Sequence, residues 1–451
     1  MKKTHYSRRQ FIRTTTSAAG AALAMPTLVS SRALAGREYG KPAVLGGEPV
    51  RKKPFPHWPI HDRVDEEHLL EALRKDEWCR LGGDITTAFE KKWAELLGVK
   101  YATAVVNGTN ALYAALNALD VGPGDEVLVP PYTFVATVNA VVQQFALPVF
   151  VDTDPETHLM DASLLEPAIT EHTRCILPVH LGGLVADMDA ISKVAKKHNL
   201  PVVEDACQAH FSEWRGKKAG SLGDIGCFSF QASKILPCGE GGAIVTDRED
   251  LLDKFHAFQN NGRDRLTGTR HGYQYQGSNL RMTEFQSAIL LAQLTRFEAQ
   301  CQLRERNAKY LTELLNEIPG ITPARPYEGC IRATYYIYMM RYDGQHFAGL
   351  SRSKFLNALG KEGIPIWSGY VPLNKEPFIE KTLNSRAYQN IYSKERLERY
   401  RKNNHCPQND RLCEVGLIMG QNPLMETEQD VEQIAEAIMK IQTHAEALAK
   451  A

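Results

Sequence analysis

The stretch 101–106 (YATAVV) reads as a short strand, and the apolar positions of 110–119 recur at helical spacing. The same two periods then alternate along the chain. Strand-like runs are predicted at 126–130, 149–151, 175–179, 201–204, 224–230 and 243–247. Helices are predicted at 133–144, 161–169 and 188–198, after two earlier ones at 66–74 and 85–97. Strands alternating with helices predict an α/β fold with a mostly parallel sheet, covered by helices on both faces. Near Arg281 the pattern turns helical, and one long amphipathic helix is predicted over 283–315. Beyond it, a strand at 333–342 mixes with helices at 351–362 and 428–447, which predicts a smaller α+β domain. The expected division is a large domain over 63–300 and a small C-terminal domain over 301–451.

Two segments at the front break this pattern. Residues 36–62 hold five prolines and several basic residues, so no helix can persist there, and an extended arm lying over another surface is expected. Residues 1–35 carry Ser7-Arg8-Arg9-Gln10-Phe11-Ile12, then a weakly apolar Ala/Thr-rich stretch, then Ala33-Leu34-Ala35. That three-part order reads as an export signal of twin-arginine type, which delivers proteins already folded. A disordered basic tail would explain the two arginines but not the whole order. The expected location is therefore periplasmic or otherwise exported, and cytoplasmic if the signal is not used.

Composition narrows the partners. The 451 residues are 43% hydrophobic, enough for a large core and two domains. Lys plus Arg equals Asp plus Glu, 53 each, so nothing favours nucleic acid or an anionic membrane. After the N-terminus no apolar run reaches the ~20 residues that a membrane helix needs. Nine scattered cysteines form no CxxC and no regular spacing, which argues against a disulfide framework and offers no zinc ligand set.

Four short segments at strand ends carry candidate chemistry, since ligands of open α/β sheets sit beyond the carboxyl ends of strands. Asn107-Gly108-Thr109 links a strand to a helix start, where free N–H groups and the helix dipole form an anion site. Taken alone, such residues are more often plain caps. Phe134, near another helix start, offers a face to a planar ring, although most such aromatics are core. Asp205 ends an apolar strand and could pair with a basic ring nitrogen; alone it is more safely an N-cap. Lys234 is the one basic residue in GCFSFQASKILPCGEGGAIVTD, five residues after Ser229. Its amine could condense with an aldehyde, although a solvated lysine is the default. In this order the four make a phosphate turn, a stacking ring, a ring-nitrogen acid and a lysine.

The segments NGTNAL, YTFVATVNAV, PVHLGGLVADMDAI, VVEDACQAHF, GDIGCFSFQASKILPCGEGGAIVTD, GSNLRMTEFQSAI and NPLMETEQDVEQI resemble the DegT/DnrJ/StrS-type sugar aminotransferases. These are fold-type I pyridoxal phosphate enzymes, and the resemblance spans about 58–441. It implies Lys234 as the Schiff-base lysine and Asp205 as the pyridinium partner, with Phe134 on one ring face and Gln208 beside the cofactor. Gly108, Thr109 and Ser229 are implied as phosphate contacts. Asn279 is implied as a phosphate contact reaching the neighbouring subunit's site, hence a homodimer with shared active sites. The implied activity moves an amino group from glutamate or glutamine to a keto-sugar or keto-cyclitol. Lys234 would shuttle a proton as general acid and base. Members with histidine at the lysine position are dehydratases, so Lys234 favours transamination. The arm LGGEPVRKKPFPHWPIHD looks most like members acting on cyclitol ketones such as scyllo-inosose. A non-catalytic pyridoxal-phosphate-binding sensor or scaffold of the same fold is the second reading, and the retained Asp205–Lys234 pair argues against it.

Overall fold

Seven short strands lie side by side in the order Tyr101–Val105, Gly242–Thr246, Ile225–Ser229, Val203–Asp205, Thr173–Ile176, Glu126–Val129 and Leu147–Phe150. Parallel bridges Ile176–Val202 and Val179–Asp205 join the two halves of this sheet. Only Gly242–Thr246 runs against the others, pairing antiparallel with both neighbours. The computed structural model describes residues 38–263, 273 and 275–451. The signal expected at 1–35 lies outside them. Residues 39–451 form one compact unit. No helix among the described residues is long and apolar enough to cross a membrane.

The runs of Val, Ile, Leu and Ala that read as strands without alternation are buried on both faces, as a covered parallel sheet requires. Trp93, Phe228, Phe230 and Phe211 interlock on one side of it. Helix boundaries follow local chemistry. Asp62 and Asp65 close a capping box at helix Arg63–Arg74, and Thr283 and Gln286 close another at helix Glu284–Asn316. That 33-residue helix passes the expected boundary at 300/301 without a break.

A second, antiparallel sheet orders Ile321–Pro323, Ile337–Tyr342, Gly416–Gly420 and Ile366–Ser368. Helix Glu428–Thr443 packs against the long helix, and a further short helix, Ala445–Lys450, follows it. Of the run predicted as one strand at 333–342, only Ile337–Tyr342 is a strand; a separate short strand, Cys330–Arg332, precedes it. The helix predicted over 133–144 is Ala136–Gln143. Pro130 and Pro131 hold the preceding backbone out of the helical region, which leaves Phe134 in the loop before the first turn.

The arm is stitched to this same chain. The Glu362 carboxylate accepts from the Ala43 and Val50 amides at 2.7 and 2.9 Å. Arg51 is buried between Asp430, Gln433 and Glu426, at 2.7, 2.9 and 3.3 Å.

Candidate active site

The carboxyl ends of strands Tyr101–Val105, Val203–Asp205 and Ile225–Ser229 converge on a cavity of about 550 Å³. Gly108, Thr109, Phe134, Asp205, Gln208, Ser229 and Lys234 all line it. Seven candidates separated by up to 126 positions in sequence thus share one space. Asn279 does not line it. It is exposed, paired through its backbone bridge to Asn260.

One end of the cavity is built by backbone. Asn107 caps helix Gly108–Ala118 by accepting from the Asn110 amide at 2.9 Å. The first amides of a helix have no partner within it, so this end attracts anions. The turn lies flush against its neighbours. A Cβ on Gly108 would stand 2.6 Å from Ser229 Cβ and 2.9 Å from Cys207 Sγ. A Cβ on Gly242 would meet the Asn107 carbonyl at 2.5 Å. Glycine is required at both positions by close approach.

Asp205 is almost fully buried, and its partners use only part of its accepting capacity. Thr137 Oγ1 donates to Oδ2 at 2.7 Å and the Cys207 amide to Oδ1 at 3.2 Å. A buried carboxylate with lone pairs to spare suits a cationic N–H donor. Its sequence neighbour Glu204, on the opposite face of the strand, is saturated. It binds His180 Nε2 at 2.8 Å and accepts from the amides of Gly220, Leu222 and Gly223. That pair braces the strand beneath the site.

Gln208 is locked on both sides: the Gly182 amide donates to its Oε1 at 3.0 Å, and its Nε2 donates to the Tyr370 hydroxyl at 3.1 Å. Burial pushes the Tyr370 phenol well above its ordinary range, so it stays protonated. Burial likewise raises the Cys207 thiol, with the Asp205 charge adding to the effect. His210 lies behind the site, its Nε2 hydrogen-bonded to the Ser229 carbonyl at 2.8 Å. Burial first, and then the Lys234 charge, hold its pKa down to about 3, so the ring is neutral.

Lys234 Nζ lies 4.2 Å from the centroid of the Tyr336 ring, and no carboxylate among the described residues is within ion-pairing distance. Tyr336 also reaches Ser233 Oγ through its hydroxyl at 2.9 Å. Phe134 is 56% exposed, an unusual state for a phenylalanine that lines a cavity. An open aromatic face, a buried acid with spare lone pairs, a free amine and a backbone anion cradle match the ring, ring nitrogen, aldehyde and phosphate of pyridoxal phosphate.

The sequence reading missed Tyr336 and Tyr370, both of which line the cavity. The Tyr335-Tyr336 doublet beside an apolar run was the available signal; Tyr370 had none.

The DegT/DnrJ/EryC1/StrS aminotransferase family matches residues 61–439. An L-glutamine:2-deoxy-scyllo-inosose aminotransferase of Streptoalloteichus tenebrarius is 36% identical over 417 residues, 89% of this chain and 97% of that protein. A GDP-perosamine synthase of Caulobacter vibrioides is 41% identical over 315 residues, 68% of this chain and 83% of the relative. The crystal structure of 3-amino-5-hydroxybenzoic acid synthase superposes with a TM-score of 0.76 at 32% identity, covering 89% of this chain and all of the other.

Proposed function

The chain belongs to the DegT/DnrJ/EryC1/StrS aminotransferase family and is an aminotransferase; from that premise we propose that it uses pyridoxal 5′-phosphate to move an amino group from L-glutamine or glutamate to a cyclic polyhydroxy ketone. A keto-cyclitol of the 2-deoxy-scyllo-inosose kind is the preferred acceptor, with a keto-sugar as the broader class. Support for the acceptor is the relative named for that reaction, which matches over nearly the whole of both chains. The observation that carries the chemistry is the convergence of Lys234, Asp205 and the Gly108–Thr109–Ser229 cradle on one cavity.

When bound, the cofactor supplies an electron-withdrawing ring that stabilises negative charge on the donor Cα. The chain's residues do the rest. Lys234 Nζ is the covalent anchor and, once free, takes the proton from the donor Cα and later returns one to the acceptor carbon. Asp205 keeps the ring nitrogen protonated through a charge-assisted hydrogen bond, and Thr137 and the Cys207 amide fix the carboxylate for it. Phe134 would cover one ring face, and Gln208, its amide oriented by Gly182 and Tyr370, would lie beside the cofactor. Gly108, Thr109 and Ser229 hold the phosphate.

Asn279 belongs, in this reading, to the neighbouring protomer's site, so the working enzyme is a homodimer. Exposed Leu69, Leu70, Leu73, Trp78 and Leu81 supply apolar surface for such an interface. The segment 1–35 is read as a twin-arginine signal, suited to a protein that must fold around its cofactor before export. The non-catalytic reading gains no support from the relatives, which are named as enzymes.

The test is a half-reaction. L-Glutamine added to the loaded protein is expected to bleach the visible cofactor band, and 2-deoxy-scyllo-inosose is expected to restore it. A band that no amino donor alters would refute transamination; one restored only by keto-sugars would refute the cyclitol.

A further inference from the structure

The proposed chemistry leaves the arm at 36–62 unused, yet the arm touches the lysine loop. Trp58 Nε1 donates to the Lys234 carbonyl at 2.9 Å across 176 residues of sequence. Gln421 Nε2 donates to the preceding carbonyl, that of Ser233, at 2.8 Å across 188 residues. These two peptide units flank the Lys234 Cα. Fixing both planes fixes the direction of the Cα–Cβ bond, and with it the volume that the amine can sweep.

The two donors are themselves held. Gln421 Oε1 accepts from Arg304 Nη1 at 3.3 Å, and Arg304 is fully buried. Asn422 Nδ2 donates to the Pro56 carbonyl at 2.8 Å, two residues before Trp58. Upstream, Arg51 ties the same arm to the start of helix Glu428–Thr443. The turn at Gln421-Asn422 therefore grips the lysine loop directly and through the arm. Of the loop's other ties, Lys234 N to Gln231 O and Ala232 N to Gly239 O are internal and would move with it. Ser233 Oγ meets the Tyr336 hydroxyl at 2.9 Å and the Glu240 carbonyl accepts from Gln286, contacts that hold a side chain and the loop's far end rather than the two peptide planes at Lys234.

We propose that Trp58 is a positioning residue for Lys234: the arm, through the indole N–H, forms with Gln421 a two-point clamp on the carbonyls either side of the lysine. This inference rests on Lys234 being the cofactor lysine. The clamp holds the amine where it can reach both the cofactor aldehyde carbon and the donor Cα. A loosened amine still forms the linkage but spends less time aligned for proton transfer.

Trp58→Phe keeps an aromatic ring at the position and removes the donor. In the loaded variant, the visible cofactor band is expected at its usual intensity with reduced circular dichroism, because a less fixed linkage loses chirality. Turnover should fall on the order of tenfold, a fraction of the ~10² that a 1 Å misplacement costs, with KM for the donor nearly unchanged. In the cofactor-free protein, amide exchange over 230–238 should quicken while exchange in the seven-stranded sheet stays the same. Should Trp58→Phe not fold, Asn422→Ala releases the same arm segment and carries the same expectations. Unchanged circular dichroism, exchange and kcat would overturn the clamp. Borohydride labelling of both proteins separates the two claims: a label away from Lys234 sinks the assignment of the lysine, whereas a label on Lys234 with no change in the variant sinks the clamp alone.

Discussion

Two lysines mark two regions of this molecule that are built on opposite principles. Lys440, on helix Glu428–Thr443, is buried where the arm meets that helix. Its amine is held by the Glu362 carboxylate at 2.9 Å and the Glu48 carbonyl at 2.6 Å, and Glu362 in turn accepts from two arm amides. Lys234 lines an open cavity with its amine against the Tyr336 ring. In the first region the charge is neutralised and two of the three donors are engaged, so the lysine holds the arm down. In the second the backbone is tied and the amine is left free. The adjacent carboxylates repeat the contrast on a single strand, with Glu204 saturated by four donors and Asp205 only partly used. Saturation marks structure here, and incomplete satisfaction within a rigid frame marks chemistry.

That contrast breaks most visibly at Lys234. Lys234→Ala is expected to lower turnover on the order of 10³-fold or more, since it removes both the covalent anchor and the acid–base group. Steady-state kinetics on protein with an unchanged unfolding curve would check it. Glu362→Ala is the counterpart in the other region: stranding the buried Lys440 should cost about 3–5 kcal/mol of stability by urea unfolding. Its folded, loaded fraction should still react with the amino donor. Asp205→Asn should keep the cofactor yet lose on the order of 10²-fold in kcat, the scale of one positioned acid–base interaction. Near-normal turnover there would remove Asp205 from the chemistry. The smallest effect belongs to Phe134→Ala, where a lost stacking face of about 1 kcal/mol should weaken cofactor binding roughly fivefold by titration.

The α/β alternation was legible because strand and helix periods are local properties. Runs such as 126–130 and 201–204 needed no long-range information, and each appears within a few residues of its expected place. Phe134, Asp205 and Lys234 could be singled out because they fall in short motifs at strand ends, whereas Gln208 was implied only by the family resemblance. The C-terminal region was harder to read. Strands Ile321–Pro323 and Ile366–Ser368 are three residues each, too short for a period to show, and they form only through partners far along the chain. The three helices between Pro377 and Asn403 were not expected either. Tyr370 and Trp58 carry no local signal at all, because their contacts to Gln208 and Lys234 span 162 and 176 positions. Asn279 is a different case: within one chain it lies apart from the cavity, and its assigned role requires a second protomer.

The central claim is that the free amine, not the paired one, carries the cofactor. Borohydride reduction of the loaded protein followed by peptide mapping tests it directly. The pyridoxyl group is expected on Lys234, within the peptide spanning 219–248; finding it on Lys254, Lys440 or any other lysine would contradict the account.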